Sequence, residues 1–376
     1  MLPQPPLWLV LVAFICALGP LVFFHELGHY LVARWFRIPA ETFSIGFGNE
    51  ITGWTDKQGT RWKVGWLPLG GYVKFVGDMG PSSQPTDLSH LPPEQRDRAF
   101  QLRPVWQRFL VVLAGPAANF LLAVVIFAVF FAAFGVPRSP NVVGQVKPGS
   151  PAAHAGLQPG DRIAMVDGNS TRSFEDLQRE VSLRPGEAVP LIVVRDGRQL
   201  PLRVTLGSFD DKDQFGQHHK IGQLGIVQAE RVWERPNPAM ILPEAVRYTW
   251  VITRSMAEGL WQIVTGRRGT EDVGGPIKIA QIAGQQASLG ALPFVQLLAL
   301  FSINLGFINL LPVPMLDGGH LFFYAVEAVR RRPLSARALD LAFRGGLALI
   351  LALVLFTTFN DLGSLGLWDR LQRLIG

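Results

Sequence analysis

The sequence predicts a polytopic α-helical membrane protein with four transmembrane helices, a membrane-associated β-hairpin region and one extracytoplasmic globular domain. Three observations predict it. Four apolar stretches, Leu7 to about Phe36, Val105 to Phe134, Leu292 to about Val329 and Leu341 to Phe359, are each long enough to cross a bilayer, which takes roughly 20 residues. Only 17% of the 376 residues are charged while 48% are hydrophobic, and the apolar residues are gathered into blocks. Between the second and third blocks lies a long region of short alternating segments and Gly/Pro turns, the pattern of a folded domain in water.

The opening residues "MLPQPP" carry no side-chain charge, and the apolar run after them is too long for a secretory signal. That combination predicts a retained first span. The single cysteine, Cys16, lies inside this run, so no disulfide forms within the chain. Arg34 and Arg37 follow the first span, Arg103 and Arg108 flank the second, Arg330, Arg331 and Arg332 follow the third, and Arg337 and Arg344 border the fourth. The positive-inside rule places these in the cytoplasm, and both termini and residues 137–290 outside. The formal charge of +6 therefore reads as membrane orientation, with no nucleic acid as partner.

Between the first two spans, residues 61–67 ("RWKVGWL") and 72–76 ("YVKFV") read as strands. Backbone at membrane depth must be paired or line a wet cavity, so β-hairpins packed on the helices at the cytoplasmic face are expected. Residues 80–104, polar and proline-rich, read as a surface loop. Beyond the second span, "NVVGQV" at 141–146 reads as a strand, "PAAHAGL" as a short helix and "SFEDLQREVSL" as a helix, with turns at Asp167–Gly168 and Asp196–Gly197. That order, with "GSPAAHAGLQPGDRI" at 149–163, resembles a PDZ domain over roughly residues 138–228. "GPIKIAQIAG" at 275–284 is amphipathic and suits an interfacial helix or a gate. The adjacent His218 and His219 read as surface residues. The expected division is 1–136 for the first half of the membrane core, 137–230 for the PDZ domain, 231–290 for an extracytoplasmic linker and 291–376 for the second half of the core.

The chemistry concentrates in "FFHELGHYLV" at 23–32. An ionised carboxylate at the centre of a span costs at least ~2.5 kcal/mol, so something must compensate Glu26. His25 and His29 are four apart and share one helix face. His-Glu-x-x-His is the pattern in which both imidazoles bind zinc and the glutamate serves as general base. A catalytic zinc takes a third protein ligand and keeps one open position. Asp317, in "NLLPVPMLDGGH", is the best candidate, next to two glycines that permit close backbone approach. A cap or turn aspartate after Pro312 and Pro314 is the competing reading, and His320 competes as ligand. Asn304 and Asn309 have amides that pair with freed backbone groups or with neighbouring helices.

"HELGH", "GPAANF" at 115–120 and "NLLPVPMLDGG" at 309–319, with a PDZ-like unit between, resemble the site-2 protease family of bacterial intramembrane zinc metalloproteases over nearly the whole chain. The best-known members carry tandem PDZ domains, whereas this chain has room for one. The resemblance implies His25, His29 and Asp317 as zinc ligands and Glu26 as the catalytic glutamate. It implies Asn304 and Asn309 as substrate-binding, with Asn119, Pro312 and Pro314 supporting the site. It further implies a multi-pass protein of the bacterial inner membrane that makes the second cut in regulated intramembrane proteolysis. Its substrates would be single-span membrane proteins such as an anti-sigma factor after a first extracytoplasmic cut, or signal-peptide remnants, taken from the lipid bilayer. The alternative is a non-catalytic membrane PDZ scaffold with a structural zinc site; an intact Glu26 argues against it. A metal or proton transporter is disfavoured by four spans without an inverted repeat.

Overall fold

The computed structural model describes residues 5–77, 98–171, 173–212, 218–230, 232–266 and 274–364. In chain order it runs α1 (Leu7–Trp35), β1 (Ala40–Thr55), β2 (Arg61–Phe75), α2 (Val105–Phe134), β3 (Val136–Arg138), β4 (Val143–Val146), α3 (Pro151–His154), β5 (Arg162–Val166) and β6 (Asn169–Ser170). It continues with α4 (Phe174–Ser182), β7 (Ala188–Arg195), β8 (Arg198–Thr205), β9 (Gly207–Lys212), β10 (His218–Gln223), β11 (Ile226–Gln228), β12 (Val232–Glu234), α5 (Ile241–Val264), α6 (Pro276–Ser288), α7 (Ala291–Asn309), α8 (Asp317–Arg330) and α9 (Ala336–Ser364). Two compact units result, one of Met1–Phe127, Ala245–Met256 and Glu271–Gly376, the other of Ala128–Glu244 and Ala257–Thr270.

Among the described residues four helices are long and apolar enough to cross a membrane: α1, α2, α7 and the Arg337–Leu362 stretch of α9. In α1 the buried residues Ala13, Ala17, Leu21, His25, His29 and Ala33 recur every four positions. Leu7, Trp8, Leu11, Val12 and Ile15 stay exposed. A 3.6-residue period thus puts both histidines on the face that packs into protein and leaves lipid the other. The third apolar stretch is two helices: α7 ends at Asn309, Pro312 and Pro314 prevent its continuation, and α8 restarts at Asp317. In the intervening turn Met315 takes a positive φ of 81°. A Cβ on Gly318 would meet the carbonyls of Leu310 and Leu311, and one on Gly319 would meet that of Val313, so the "GG" pair lets α8 fold back tightly on the turn.

The β region departs from the two strands read in sequence. Residues 61–67 and 72–76 are the two ends of one bent strand, β2. Its 71–75 end pairs antiparallel with 40–45, and its 61–65 end pairs antiparallel with 50–55 while lying beside 42–45 on the other side. The bends fall at glycines 46, 48 and 70, all with positive φ. Residues 98–104 contain a 3₁₀ turn, Phe100–Leu102, whose Phe100 is buried, so the end of the expected surface loop belongs to the core; residues 80–97 lie outside the described residues.

The expected linker over 231–290 contains two helices. α6 covers the amphipathic stretch. Asp361 of α9 accepts the backbone N–H groups of Gly275 (2.9 Å) and Lys278 (3.0 Å) and so caps α6 from outside. α5, 24 residues long, was not anticipated, because its apolar positions are interleaved with Glu244, Arg247, Arg254 and Glu258.

In the second unit β6, β5, β7 and β8 form one sheet in that order, and β11 pairs with β4. Ile163, Val166, Leu177, Leu191, Val193 and Val204 fill its core. Local chemistry sets the connections. Ser173 and Asp176 form a reciprocal capping box on α4. Asp167–Gly168 and Asp196–Gly197 take positive φ at both turn residues, the geometry of a tight hairpin. The side chains of His218 and His219 lie outside the described residues.

Candidate metal centre

His25 and His29 stand on one face of α1, and Asp317 stands at the first position of α8. The structure brings the three together. His25 Nε2 lies 3.1 Å from Asp317 Oδ2, His29 Nε2 lies 3.5 Å from the same oxygen, and the two Nε2 atoms are 3.3 Å apart. A tetrahedral ion with bonds of about 2.0–2.1 Å requires ligand atoms about 3.3 Å from one another, so this triangle has the dimensions a zinc ion needs. Asp317 Oδ2 is buried and has no hydrogen-bond partner of its own among the described residues.

The other nitrogens of the imidazoles are held. His29 Nδ1 lies 2.9 Å from the carbonyl oxygen of Val111, to which it donates, leaving Nε2 with its lone pair. His25 Nδ1 lies 3.0 Å from Nδ2 of Asn119, whose Oδ1 is buried without a partner among the described residues. A half-turn of that amide exchanges two atoms of similar size. Oδ1 then accepts from His25 Nδ1–H, and Nε2 is again free to ligate. Such contacts fix the tautomer and orientation of a metal-binding histidine. Asn119 is itself held in place, since Ser302 of α7 donates to its backbone carbonyl at 2.7 Å.

Small residues allow this approach. A Cβ on Gly115 would sit inside van der Waals distance of the His29 ring, and one on Gly28 would meet the carbonyl of Ala114 and the Cβ of Ala118. Gly306 brings α7 against Pro116 and Phe120, where a Cβ would have 3.1 Å neighbours. Pro314 lies against Gly346 of α9 and seats that helix on the turn before Asp317.

Glu26 lines the same cavity of about 360 Å³ as His25, His29, Asp317 and His320, and is 8% exposed. Val73 of β2 borders the cavity with it. A Cβ on Gly71 would lie 2.7 Å from Ser44 O and 3.0 Å from Glu26 Cγ, so β2 runs directly over the glutamate. Gly70, Gly71, Tyr72 and Val73 border the cavity. Asn309 lines it; Asn304 is not among its lining residues. Five helical positions rotate a side chain by about 140°, so the two amides face different ways. Pro312 is likewise absent from the lining, and its part is confined to the helix break.

Sequence reasoning missed the Val111 carbonyl and Ser302. Backbone groups are present at every position, so the carbonyl carried no signal; Ser302 carried a faint one, as a hydroxyl in the otherwise apolar run "LLALFSINL".

Two imidazoles, a carboxylate ligand and a free glutamate in one cavity, set among spanning helices, define a membrane metallohydrolase. The chain matches peptidase family M50 over residues 13–353. It is 44% identical over 361 residues to a protein of Agrobacterium fabrum and 45% identical over 359 residues to one of Mesorhizobium japonicum, both named putative zinc metalloprotease. These alignments cover 94% of this chain and 96% and 98% of the relatives. Metalloprotease MmpA of Caulobacter vibrioides is 40% identical over 379 residues, covering 94% of this chain and 95% of that protein. A solved PDZ domain of the SdrC-like protein of Listeria monocytogenes aligns with 25% of this chain and 90% of its own at 23% identity, with a TM-score of 0.19 that carries no argument. The chain belongs to peptidase family M50 and is a zinc metalloprotease.

Proposed function

We propose that this protein is an intramembrane endopeptidase that uses zinc held by His25, His29 and Asp317 to cut single-span membrane proteins within the bilayer. The observation that carries the reading is the triangle of ligand atoms, 3.1 to 3.5 Å on a side, beside Glu26 on α1, a helix long enough to span. When bound, zinc supplies a Lewis acid and a water that ionises near pH 7. Glu26 receives the proton of the attacking water on its carboxylate and passes it to the leaving amine. The buried partners of the two rings hold the imidazoles. The 71–75 end of β2 pairs on one side with 40–45 and borders the cavity on the other. An unwound substrate segment fits there by strand addition, through main-chain hydrogen bonds, with the Asn309 amide available to freed backbone groups.

The arginines flanking the spans support an orientation with the active site towards the cytoplasm and the PDZ-like unit and both termini outside a bacterial inner membrane. In that setting the substrate would be an anti-sigma factor or similar single-span protein already cut outside, or a signal-peptide remnant, with the PDZ-like unit acting as filter or receptor. The test uses the purified full chain in detergent and a truncated single-span substrate. The parent is expected to contain one zinc per chain and to cleave in a chelator-sensitive way, and Glu26→Gln to keep the zinc and lose cleavage. Cleavage by Glu26→Gln at the parental rate would overturn the reading.

A further inference from the structure

His320 is an imidazole in the cavity for which the centre described above has no task. It stands three residues beyond Asp317 on α8, and i,i+3 neighbours on a helix present their Cβ atoms on one face about 5–6 Å apart. It lies outside the group of ligand atoms that converge. It is 9% exposed, and its ring borders the cavity with Glu26, Asp317 and Asn309. Ring contacts to Phe343 (centroids 5.1 Å apart) and Tyr324 (6.4 Å) hold it from behind. No ring nitrogen of His320 makes a hydrogen bond to a described residue.

Its ring nitrogens therefore open onto a cavity rather than onto a protein partner, and a polar group so placed calls for an explanation. Packing alone does not give one. A phenylalanine would pack between Tyr324 and Phe343 equally well, and the same helix already supplies Phe322 and Phe323. The ring also closes one wall of a second cavity of about 300 Å³, which shares His320 and Phe100 with the first. Its aromatic neighbours fix its position, so its free polar edge is held ready for a group that enters the metal cavity. A neutral imidazole offers one donor and one acceptor.

We propose that His320 is a further catalytic residue, whose ring N–H donates a hydrogen bond to the carbonyl oxygen of the peptide bond being cut. The donor is aimed at the negative charge that grows on that oxygen during attack and stabilises it there more than in the ground state; the proton stays on the ring throughout. This rests on the endopeptidase reading above. Removing one preorganised donor of this kind lowers turnover by roughly 10²–10³-fold.

The experiment compares the parent, Glu26→Gln, His320→Phe and His320→Gln as full-length chains in detergent, measuring zinc content, thermal unfolding, kcat and KM. His320→Phe is expected to keep its zinc and its melting temperature and to lose roughly 10²-fold in kcat with little change in KM. His320→Gln, whose amide N–H can donate, is expected to recover about tenfold over His320→Phe. Parental activity in His320→Phe would overturn the proposal by making the ring mere packing. Loss of zinc in that variant would overturn it by making the ring a support of the metal. Should His320→Phe fail to fold, added imidazole is the probe for His320→Ala: a several-fold rise in cleavage supports the proposal and no rise overturns it. Uninhibited cleavage by Glu26→Gln would fail the endopeptidase reading whatever the His320 variants do.

Discussion

Each unit of this protein buries an asparagine. Asn141, in the PDZ-like unit, donates to the carbonyls of Ile163 and Thr171, both at 2.6 Å, and ties a strand to a turn. Asn119, in the membrane unit, is more deeply buried, and among the described residues its amide meets one side chain, the ring of His25. The first is satisfied by backbone, the second by a group that must itself face something else. The same contrast runs through the acids. Asp161 accepts from Nε and Nη2 of Arg195, each at 2.7 Å, whereas Asp317 Oδ2 faces two imidazoles and has no donor of its own among the described residues. Buried polar groups that close on one another hold a fold together. Groups whose lone pairs converge on one point mark where a ligand belongs.

Glycine substitution tests that contrast most severely. Gly115→Ala puts a methyl group into the space of the His29 ring. Displacing a reacting geometry by about 1 Å costs roughly 10²-fold, so cleavage should fall at least that far and metal content should drop below one zinc per chain. Gly156→Ala in the other unit meets open space but forces alanine to a φ of +75°. It should lower stability by about 1 kcal/mol and leave cleavage unchanged. If both variants were equally active, the close contact between α1 and α2 would have no functional meaning.

A smaller effect is expected from the buried asparagine itself. Asn119→Leu keeps the volume and removes the partner of His25 Nδ1. Loss of such a partner weakens metal binding by roughly 10–100-fold, measurable by competition with a fluorescent zinc chelator. Asn119→Asp, which retains an acceptor, should bind close to parental strength. Equal zinc affinity in Asn119→Leu and the parent would reduce the contact to packing.

How much of this was readable from sequence follows from the range of each interaction. The His25–Glu26–His29 motif lies within five residues of one helix and was legible in full. So were the helix within "SFEDLQREVSL" and the Asp-Gly turns, because each is decided by its neighbours in the chain. Asp317 was legible only through its depth in an apolar stretch and the two glycines after it. Asn304 and Asn309 were read as a pair, and the helical rotation between them admits one to the cavity. The β region was half legible: both ends of β2 were found, but Gly70 and Gly71 read as a break because glycine usually interrupts a strand. Here their missing side chains allow the strand to bend over Glu26. α5 was lost because scattered charges masked its period. The hydrogen bonds from His29 to Val111 and from Ser302 to Asn119 cross 82 and 183 residues of chain. Nothing local announces them.

The mildest test concerns the unit whose polar groups close on themselves. Asp161 is 1% exposed. Burial would push its carboxyl up, but the Arg195 guanidinium and the Gln158 N–H outweigh that and hold it below the ordinary carboxylate range. A carboxyl depressed in the folded state contributes stability above the unfolded value of about 3.9, and that contribution is lost as pH falls through the lower folded value. Asp161→Asn should therefore destabilise the PDZ-like unit at pH 7 by about 1–2 kcal/mol, read as faster amide exchange in β5 and β7 of the full chain. The difference from the parent should shrink steadily below about pH 4 as the parental carboxyl takes up its proton. Because Asp161 belongs to the unit without the metal centre, zinc content at pH 7 should not change. A difference in exchange that stayed constant down to acid pH would show that the ion pair with Arg195 is not what this buried carboxylate contributes.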